Sequence, residues 1–329
     1  MQISDIGEFG LIDKIQRILG SRGGDRQLRL GIGDDAAIFE TPKGSCSIAT
    51  VDTMAEGVHF DLAYTDFQSL GWKAMAINLS DVAAMGGRPK WALVNLILHD
   101  KLSVENILDL YRGLKKSARR FDTTVIGGNI AKGRSEFSVT ITVVGEVKKN
   151  RWLKRSSAKP GDVIAVTGHL GSSHAGLQVL KHHENRRFFS HIIGRHLRPV
   201  PRFDFIDRCR KHQISINACI DLSDGLSSDL RHLCRASRVG AVINGDHLPI
   251  HPETRKASDR YTKNVYDYAL DGGEDYELLV TLSRQNFEKA KYFFKKRLTM
   301  IGEITSGKKI LLRSGHKEIP LAARGYTHF

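Results

Sequence analysis

Short apolar runs alternate with segments of helical periodicity along most of the chain. The runs are rich in β-branched and aromatic residues and end near Gly, Asp or Ser, which is typical of strands. The predicted strands cover residues 47–51, 91–98, 123–128, 137–147 and 162–168. The pattern therefore predicts a protein in which strands and helices alternate.

One segment between these runs predicts a helix with a single buried face. Its apolar residues follow the spacing i, i+3, i+4 and i+7, and they are Trp72, Met75, Ala76 and Leu79. Asn78 and Asp81 are three residues apart and share a different face. A second helix is predicted over residues 103–121, where Ser103 is a candidate N-cap.

Small residues and Pro160 interrupt the pattern at residues 154–162. This interruption predicts an N-terminal domain over residues 1–150 and a C-terminal domain over residues 151–329. In the second domain, a strand at residues 214–220 leads into a helix with an apolar stripe of Leu226, Leu230, Leu233 and Cys234. Two such units predict a mixed α/β fold (α+β mixed), in which chemistry commonly lies where a strand passes into a helix.

The charge of the chain raises two classes of partner. Fifty Lys and Arg against 36 Asp and Glu give a net charge of +14, which suits nucleic acid or anionic metabolites. The basic residues are spread along the chain, with local concentrations at residues 181–198 and 295–298. Because no RNP-type or zinc-finger signature accompanies them, a solvated basic surface is favoured over nucleic-acid binding.

Cysteine usage and the N-terminal segment favour the cytoplasm. The four cysteines include no C-x-x-C pair, so neither a disulfide framework nor a structural zinc site is expected. The first twenty residues carry three acids and lack the basic and apolar regions of a secretory signal. No apolar run approaches the length of a membrane span, so we expect a cytoplasmic protein without a membrane segment.

Five acidic residues follow apolar runs closely and are flanked by Gly or Ser, namely Asp34, Asp35, Asp52, Asp221 and Asp224. Taken singly, each is explained by helix capping or by a polar surface; Asp224 or Ser223, for example, is a candidate cap of the following helix. Acids gathered in one cleft repel one another unless they are protonated or bind cations. Oxygen ligands without His or Cys favour Mg²⁺, which commonly bridges carboxylates to phosphates.

Two phosphate-binding patterns fit incompletely. GIGDDA at residues 31–36 has the glycine spacing of a dinucleotide fingerprint, but its two acids would face an anionic pyrophosphate. GEITSGKK at residues 302–309 has Lys309 where a P-loop requires Ser or Thr, and a strand-like run where it requires a helix. We interpret it as a turn between strands. KHHENRR at residues 181–187 is interpreted as a solvated surface rather than a zinc site.

Ten further motifs lie between residue 7 and the last residue. In chain order they read GEFGLI, GIGDDAA, VDTMAEGVHF, NLSDVAAMGGRP, IGGN, SSAKPGD, RHLRPVPR, IDLSDGLSSDL, GGEDYELL and GYTHF. Together they resemble the motif set of the bacterial thiamine-monophosphate kinase family. Aminoimidazole ribonucleotide synthetase and selenophosphate synthetase share the fold. VHF with His59, GGEDYEL and RHLRPVPR favour the kinase, and the N-terminal Cys/Sec region of selenophosphate synthetase has no counterpart here.

The resemblance implies a two-domain fold of the aminoimidazole ribonucleotide synthetase type, a homodimer formed by the N-terminal halves and a nucleotide bound between the domains. It implies that ATP phosphorylates thiamine monophosphate with the help of several Mg²⁺ ions. The implied metal ligands are Asp34, Asp35, Thr50, Val51, Asp52, Asp81, Asn129, Asp221 and Asp224, of which Asp221 and Asp224 are the catalytic pair. The implied nucleotide residues are Gly128, Asn129, Arg155 and Ser223, and the implied substrate contacts are His59, Glu274 and Tyr326.

One position departs from the family pattern. The chain has Gly127, Gly128 and Asn129 where the family usually has Gly-Gly-Asp. An Asn carbonyl ligates Mg²⁺ without adding negative charge. One metal site is therefore expected to be weaker or supported by water.

Two other functions are alternatives to phosphorylation of thiamine monophosphate, one that uses ATP and one that does not. The first is another ATP-using enzyme of the same fold, similar to aminoimidazole ribonucleotide synthetase, which would be separated by its acceptor. The second is a basic nucleic-acid-binding protein that has lost catalysis, with Asn129 as a sign of the loss. Salt-dependent DNA binding without ATP turnover would identify it.

Overall fold

The computed structural model describes residues 28–30, 37–40, 44–99, 101–184, 186–261, 264–322 and 324–326. In this part of the chain, a six-stranded sheet occupies the N-terminal half and a seven-stranded sheet the C-terminal half. Helices pack against both sheets. The mixed α/β fold predicted from the sequence is confirmed.

The N-terminal sheet has the strand order β1-β2-β3-β6-β4-β5. Neighbouring strands are antiparallel except β4 and β5, which run parallel. The strands are β1 (Leu28–Leu30), β2 (Ala37–Glu40), β3 (Ser45–Ala55), β4 (Arg88–Leu98), β5 (Thr124–Lys132) and β6 (Ser138–Lys148). Side chains along β6 alternate between buried and more exposed positions, because one face of the sheet is covered by helices.

Two helices cover this face, α1 (Phe67–Ala84) and α2 (Val104–Arg120). They cross at very short range because each has a glycine at the contact. A Cβ on Gly71 or on Gly113 would overlap backbone atoms of the other helix. The predicted N-cap of α2 is confirmed, since the Ser103 hydroxyl accepts a hydrogen bond from the main-chain N–H of Asn106, the third residue of the helix.

Helix α1 is buried on nearly all sides, whereas the sequence predicts a single buried face. Fifteen of its 18 residues are buried, including Lys73 and Asn78. The reason is that α1 lies between the two halves of the chain. The Trp72 indole N–H donates to the Pro199 carbonyl at 2.7 Å, so the face opposite the N-terminal sheet is covered by the C-terminal half.

The C-terminal sheet has the strand order β13-β12-β9-β11-β7-β10-β8. Its neighbours are antiparallel except β12 and β9, which are parallel. The strands are β7 (Val163–Thr167), β8 (Ala218–Asp221), β9 (Gly240–Asn244), β10 (Leu278–Leu282), β11 (Leu298–Thr305), β12 (Ile310–Ser314) and β13 (Lys317–Pro320). Residues 302–309 span the turn from β11 to β12, as predicted.

Helices cover both faces of the C-terminal sheet. They are α3 (Ser172–Lys181), α4 (Ser190–Leu197), α5 (Phe203–Lys211), α6 (Leu226–Ser237), α7 (Pro252–Arg260), α8 (Val265–Asp271) and α9 (Arg284–Phe294). Every residue of β7, β8 and β10 is consequently buried. The predicted apolar stripe of α6 is confirmed, because Leu226, Leu230, Leu233 and Cys234 all lie in the core on one face of the sheet.

The predicted strands and the predicted exposed basic segment are both present in the structure. The strands predicted between residues 47 and 168 lie within or overlap β3 to β7. All four cysteines are buried and none forms a disulfide. The basic segment at residues 181–187 is exposed at each described position except Glu184. No helix among the described residues is long and apolar enough to cross a membrane.

Candidate active site

Acidic and hydroxyl side chains from both halves meet beside α1. The Thr50 hydroxyl on β3 donates a 2.6 Å hydrogen bond to the carboxylate of Asp81 on α1. One residue earlier on α1, the Ser80 hydroxyl donates at 2.7 Å to the carboxylate of Asp221, which ends β8. The last turns of α1 therefore join an acid of the N-terminal half to one of the C-terminal half.

The turn after β8 is held by hydrogen bonds from its main-chain N–H groups to a carboxylate of the following helix. Gly225, with φ of 107°, is the N-cap residue of α6 and no side chain caps it there. Asp224 and Ser223, the candidate caps, therefore do not occupy the N-cap position itself. Instead, the carboxylate of Asp229 in the first turn of α6 accepts hydrogen bonds from the N–H groups of Asp224 at 3.2 Å and Gly225 at 3.1 Å.

Two further segments pack their backbones against this turn. The N–H of Glu274 donates to the Ser223 carbonyl at 2.7 Å, and the N–H of Tyr326 donates to the Asp224 carbonyl at 3.0 Å. The loop before β10 and the C-terminal segment are thereby fixed beside the acidic turn. Three sequence motifs that lie up to about a hundred residues apart form one continuous backbone arrangement.

The carboxylates concentrate negative charge around buried groups. Burial raises the pKa of Asp229 well above its ordinary value, and the carboxylates of Asp224 and Asp221 raise it further. Burial also raises the pKa of Tyr276, with smaller contributions from Glu274, Asp52, Asp221 and Asp224. Asp52 on β3 and the acids of the turn after β8 therefore act on the same buried group, the Tyr276 hydroxyl.

The donors suit a hard divalent cation. The described members of the predicted ligand set on β3, α1 and the turn after β8 offer oxygen atoms only, as Mg²⁺ prefers. A bound cation would also offset the repulsion that raises the pKa of Asp229. Within the described part of the chain, no three His, Cys, Asp or Glu side chains are arranged around one point as a ligand set. The predicted ligands Asp34 and Asp35 lie outside the described residues.

We call Asp52, Asp81, Asp221 and Asp224 the acidic cluster. The predicted nucleotide residues on β5 lie away from the acidic cluster of the same chain. Along the sheet, Asp52 pairs with Ile141, Ile141 with Val94, and Val94 with Gly128. Three strand spacings of about 4.8 Å separate Asp52 from Gly128 by about 14 Å. Asn129 follows Gly128 on this edge strand and is exposed. A Cβ at Gly128 would overlap the carbonyl of Val94, so β5 fits against β4 only with glycine there.

The remaining predicted residues flank the cluster. Arg155 begins a short 3-10 segment, and its guanidinium acts on the Asp229 carboxylate by lowering its pKa. The His59 Nδ1 atom accepts a 3.1 Å hydrogen bond from the N–H of Ala55, which ends β3. The side chain of Val51, a residue that is 58% exposed, contains no ligand atom, so only its main-chain carbonyl is suited to bind a metal.

A buried ion-pair network behind the site was not predicted from the sequence. Glu277, 1% exposed, pairs with Arg195 at 2.8 Å and with both Nε and Nη2 of Arg202. It also accepts a 2.6 Å hydrogen bond from the Thr167 hydroxyl. The two arginines and the glutamate belong to the motifs RHLRPVPR and GGEDYELL. What these residues share in the sequence is a charged side chain within an otherwise apolar segment. This feature would have marked each residue as unusual, but it does not show that they pair.

The fold and the acidic site define a two-domain protein of the AIR synthase class. The family model "AIR synthase related protein, N-terminal domain" matches residues 33–147. The model "AIR synthase related protein, C-terminal domain" matches residues 159–313.

Curated relatives narrow the class. The chain is 37% identical to a thiamine-monophosphate kinase of Aquifex aeolicus over 334 residues, covering 100% of both chains. It is 38% identical to the thiamine-monophosphate kinase of Bacillus subtilis, covering 91% of this chain and 93% of the relative. A solved structure of AaThiL complexed with AMPPCP and TMP superposes with a TM-score of 0.88 at 36% identity, covering 100% and 99% of the two chains. The chain therefore belongs to the thiamine-monophosphate kinase family.

Proposed function

We propose that this protein transfers the γ-phosphoryl group of ATP to thiamine monophosphate, giving thiamine diphosphate and ADP. The observation that carries the proposal is that carboxylates of both halves lie close together. Asp52 of the N-terminal half acts on the same buried tyrosine as Asp221 and Asp224 of the C-terminal half, and α1 is bonded to Asp221. The chain also belongs to this kinase family. The related structure with AMPPCP, an analogue of ATP, and TMP supports both substrates.

The acceptor needs no activation by a base. A phosphate monoester has a second pKa of about 6 and is largely dianionic at neutral pH. One of its oxygens attacks the γ-phosphorus, the bond from that phosphorus to the β,γ-bridging oxygen breaks, and ADP leaves with the electron pair. No proton has to leave the nucleophile. The protein is therefore required chiefly to position two polyanions and to balance their charge.

The acidic cluster is the proposed magnesium site. Bound Mg²⁺ supplies charge that offsets the repulsion between the phosphates and stabilises the transferring group. The proposed ligands are Asp34, Asp35, Thr50, Val51, Asp52, Asp81, Asn129, Asp221 and Asp224. Asp221 and Asp224 are the proposed catalytic pair, because their turn is fixed by hydrogen bonds from α1 and to Asp229.

The remaining site residues are proposed to bind the two organic groups. Gly128, Asn129, Arg155 and Ser223 would contact the nucleotide, and His59, Glu274 and Tyr326 would contact thiamine monophosphate. The backbone bonds of Glu274 and Tyr326 to the turn at residues 223–224 support this assignment. They place both segments next to the proposed metal ligands.

The two halves have proposed tasks of their own. Residues 1–150 would form the domain that binds metal and nucleotide and mediates dimerisation, and residues 151–329 would complete the site from the other side. The cytoplasm is the proposed location, because the proposed reaction consumes ATP and the relatives in this family are bacterial enzymes.

A homodimer is proposed from the uncovered face of the N-terminal sheet. Five large apolar side chains on this face are 38% to 58% exposed, and they are Val51, Trp91, Leu93, Ile97 and Ile126. A contiguous apolar patch of this kind marks an interface in a soluble protein. Strand β5 is also an edge of the sheet, which is open to pairing. A second copy of this chain is the occupant we propose.

The positions of Asp52 and Asn129 support the same assembly. A magnesium ion binds its oxygen ligands at about 2.1 Å, whereas Asp52 and the strand position beside Asn129 are about 14 Å apart in one chain. The two residues therefore cannot ligate the same ion within one subunit. Since Asn129 is exposed on the proposed dimer face, it would complete the metal site of the other subunit.

The reaction is tested with ATP, Mg²⁺ and thiamine monophosphate, followed by chromatography of thiamine diphosphate and ADP. Equal amounts of both products are expected, with free thiamine as an inactive control acceptor. ADP formation with a different acceptor, and none with thiamine monophosphate, would identify another ATP-using enzyme of this fold.

A further inference from the structure

A lysine that belongs to none of the groups proposed above is buried beside Glu274, the residue proposed to contact thiamine monophosphate. Lys73 lies on α1 with its side chain 2% exposed, and its Nζ is 2.7 Å from Oε1 of Glu274. No other described residue offers this ammonium a hydrogen-bond acceptor. A buried ammonium is retained only where a counter-charge compensates for its lost hydration. Glu274 is that counter-charge.

Glu274 is held in a backbone conformation that an L-residue rarely adopts. Its φ is +65°, which costs about 1 kcal/mol or more for a residue other than glycine. The hydrogen bond from its N–H to the Ser223 carbonyl maintains this conformation. The carboxylate is consequently directed toward Lys73 while 27% of the side chain stays exposed. Strain of this kind persists where the surrounding contacts enforce it.

A neutral histidine lies beside the second oxygen of the same carboxylate. The Nδ1 atom of His196 lies 3.3 Å from Oε2 of Glu274 and 3.1 Å from the Ser173 hydroxyl. Burial lowers the pKa of His196 well below its ordinary value, and the charge on Lys73 lowers it further. The imidazole is therefore uncharged at neutral pH, and the positive charge facing Glu274 is that of Lys73.

We infer that Lys73 is a positioning residue that holds the Glu274 carboxylate in one orientation for the thiamine moiety of the substrate. This inference rests on the proposed function and on the proposed contact of Glu274 with the substrate. Thiamine carries a cationic thiazolium ring and an aminopyrimidine, and a fixed carboxylate can accept a hydrogen bond from the amino group or face the thiazolium charge. With Lys73 in place, the orientation of Glu274 is set before the substrate binds, so less entropy is lost on binding.

Helix α1 also links this contact to the acidic cluster. Lys73 precedes Ser80 by seven residues, about 10 Å along the helix, and Ser80 donates to Asp221. One rigid element therefore positions both the carboxylate proposed for the substrate and a carboxylate proposed for the metal. A shift of α1 would move both together.

The test is a double-mutant cycle on the binding of thiamine monophosphate, measured by titration calorimetry with Mg²⁺ and AMPPCP present. Lys73→Met and Glu274→Gln are each expected to raise the dissociation constant at least about tenfold. The variant with both changes is expected to bind like Glu274→Gln alone, since Lys73 acts through Glu274. Affinity for AMPPCP itself should stay within about twofold of the unmodified protein. Lys115→Met, at an exposed position on α2, is the matched control and should bind normally.

Two results would overturn the inference. Unchanged binding by Lys73→Met, in protein whose circular dichroism is normal, would show that Lys73 has no positioning role. A further loss in the double variant relative to Glu274→Gln would show that Lys73 acts independently of the carboxylate. Should Lys73→Met fail to fold, Lys73→Gln takes its place in the cycle with the same expected and contradicting results, because a neutral amide is easier to accommodate beside a carboxylate than a thioether is. Absence of binding by the unmodified protein would instead refute the proposed function on which the inference rests.

Discussion

Subunit complementation tests whether Asn129 acts across a dimer interface. Asn129→Lys would place a cation where a divalent ion needs a ligand, and Asp224→Asn would remove a proposed ligand from the acidic turn. Each variant alone is expected to retain less than about 1% of activity, since loss of several kcal/mol of charge stabilisation costs about 100-fold or more. Both changes are expected to leave the fold intact, because neither residue lies in a hydrophobic core.

The expected recovery follows from the geometry of the sheet. If each site takes Asn129 from the other subunit, a mixed dimer has one intact site and one site with both lesions. A purified mixed dimer keeps one intact site of two, so it should regain about half of the activity of the unmodified dimer. If Asn129 served its own subunit, both sites of the mixed dimer would be damaged. The separation of about 14 Å between Asp52 and the strand position beside Asn129 excludes that arrangement for a shared ion.

The assay uses the two variants co-expressed with different tags and purified through both tags, so that only mixed dimers are measured. Asp224→Asn combined with Asp221→Asn is the matched control, because both lesions lie in the same turn and no recovery is expected. Mixed dimers that stay inactive would refute the shared site, as would a tandem purification that yields no dimer at all.

Three further predictions concern metal demand, stability and pH. Asn129→Asp should lower the Mg²⁺ concentration for half-maximal activity, and an unchanged Mg²⁺ titration would exclude Asn129 as a ligand. Glu277→Gln should lower the free energy of unfolding in urea by about 3 kcal/mol, because two partly buried guanidinium groups lose their counter-charge; Glu318→Gln, in an exposed pair with Arg313, should cost less than about 1 kcal/mol. Burial lowers the pKa of His191 to about 4. Between about pH 6.5 and pH 4, His191 therefore binds a proton in the unfolded chain but not in the folded chain. Stability should therefore fall as the pH drops from 6.5 toward 4, and by less in His191→Phe; equal pH dependence of the melting temperature in both proteins would contradict this.

The periodic parts of the fold were predictable from the sequence. Alternation along β6 and the Ser103 cap of α2 are local features, and local features are visible in a sequence window. Helix α1 was predicted incompletely because its second buried face is made by residues more than a hundred positions away, such as Pro199. The periodicity of residues 72–79 contains no information on the segments of the C-terminal half that bury the other face of the helix.

The candidate site was predictable as a list of acids but not as an arrangement. Asp221 and Asp224 stand out because strand residues precede them and glycine follows. Asp229, five residues after Asp224, has the appearance of a helix residue, and only the backbone geometry shows that its carboxylate holds the turn. Lys73 was not predicted because it lies within an apolar stripe, where a lysine gives no sign of its partner.

The most direct test of the central claim compares the unmodified protein with Asp224→Asn in one assay containing ATP, Mg²⁺ and thiamine monophosphate. We predict stoichiometric thiamine diphosphate and ADP from the unmodified protein, and a loss of about 100-fold or more in Asp224→Asn with an unchanged circular dichroism spectrum. Near-normal turnover by Asp224→Asn would remove the acidic turn from the reaction. Absence of thiamine diphosphate from folded, unmodified protein would contradict the proposed function itself.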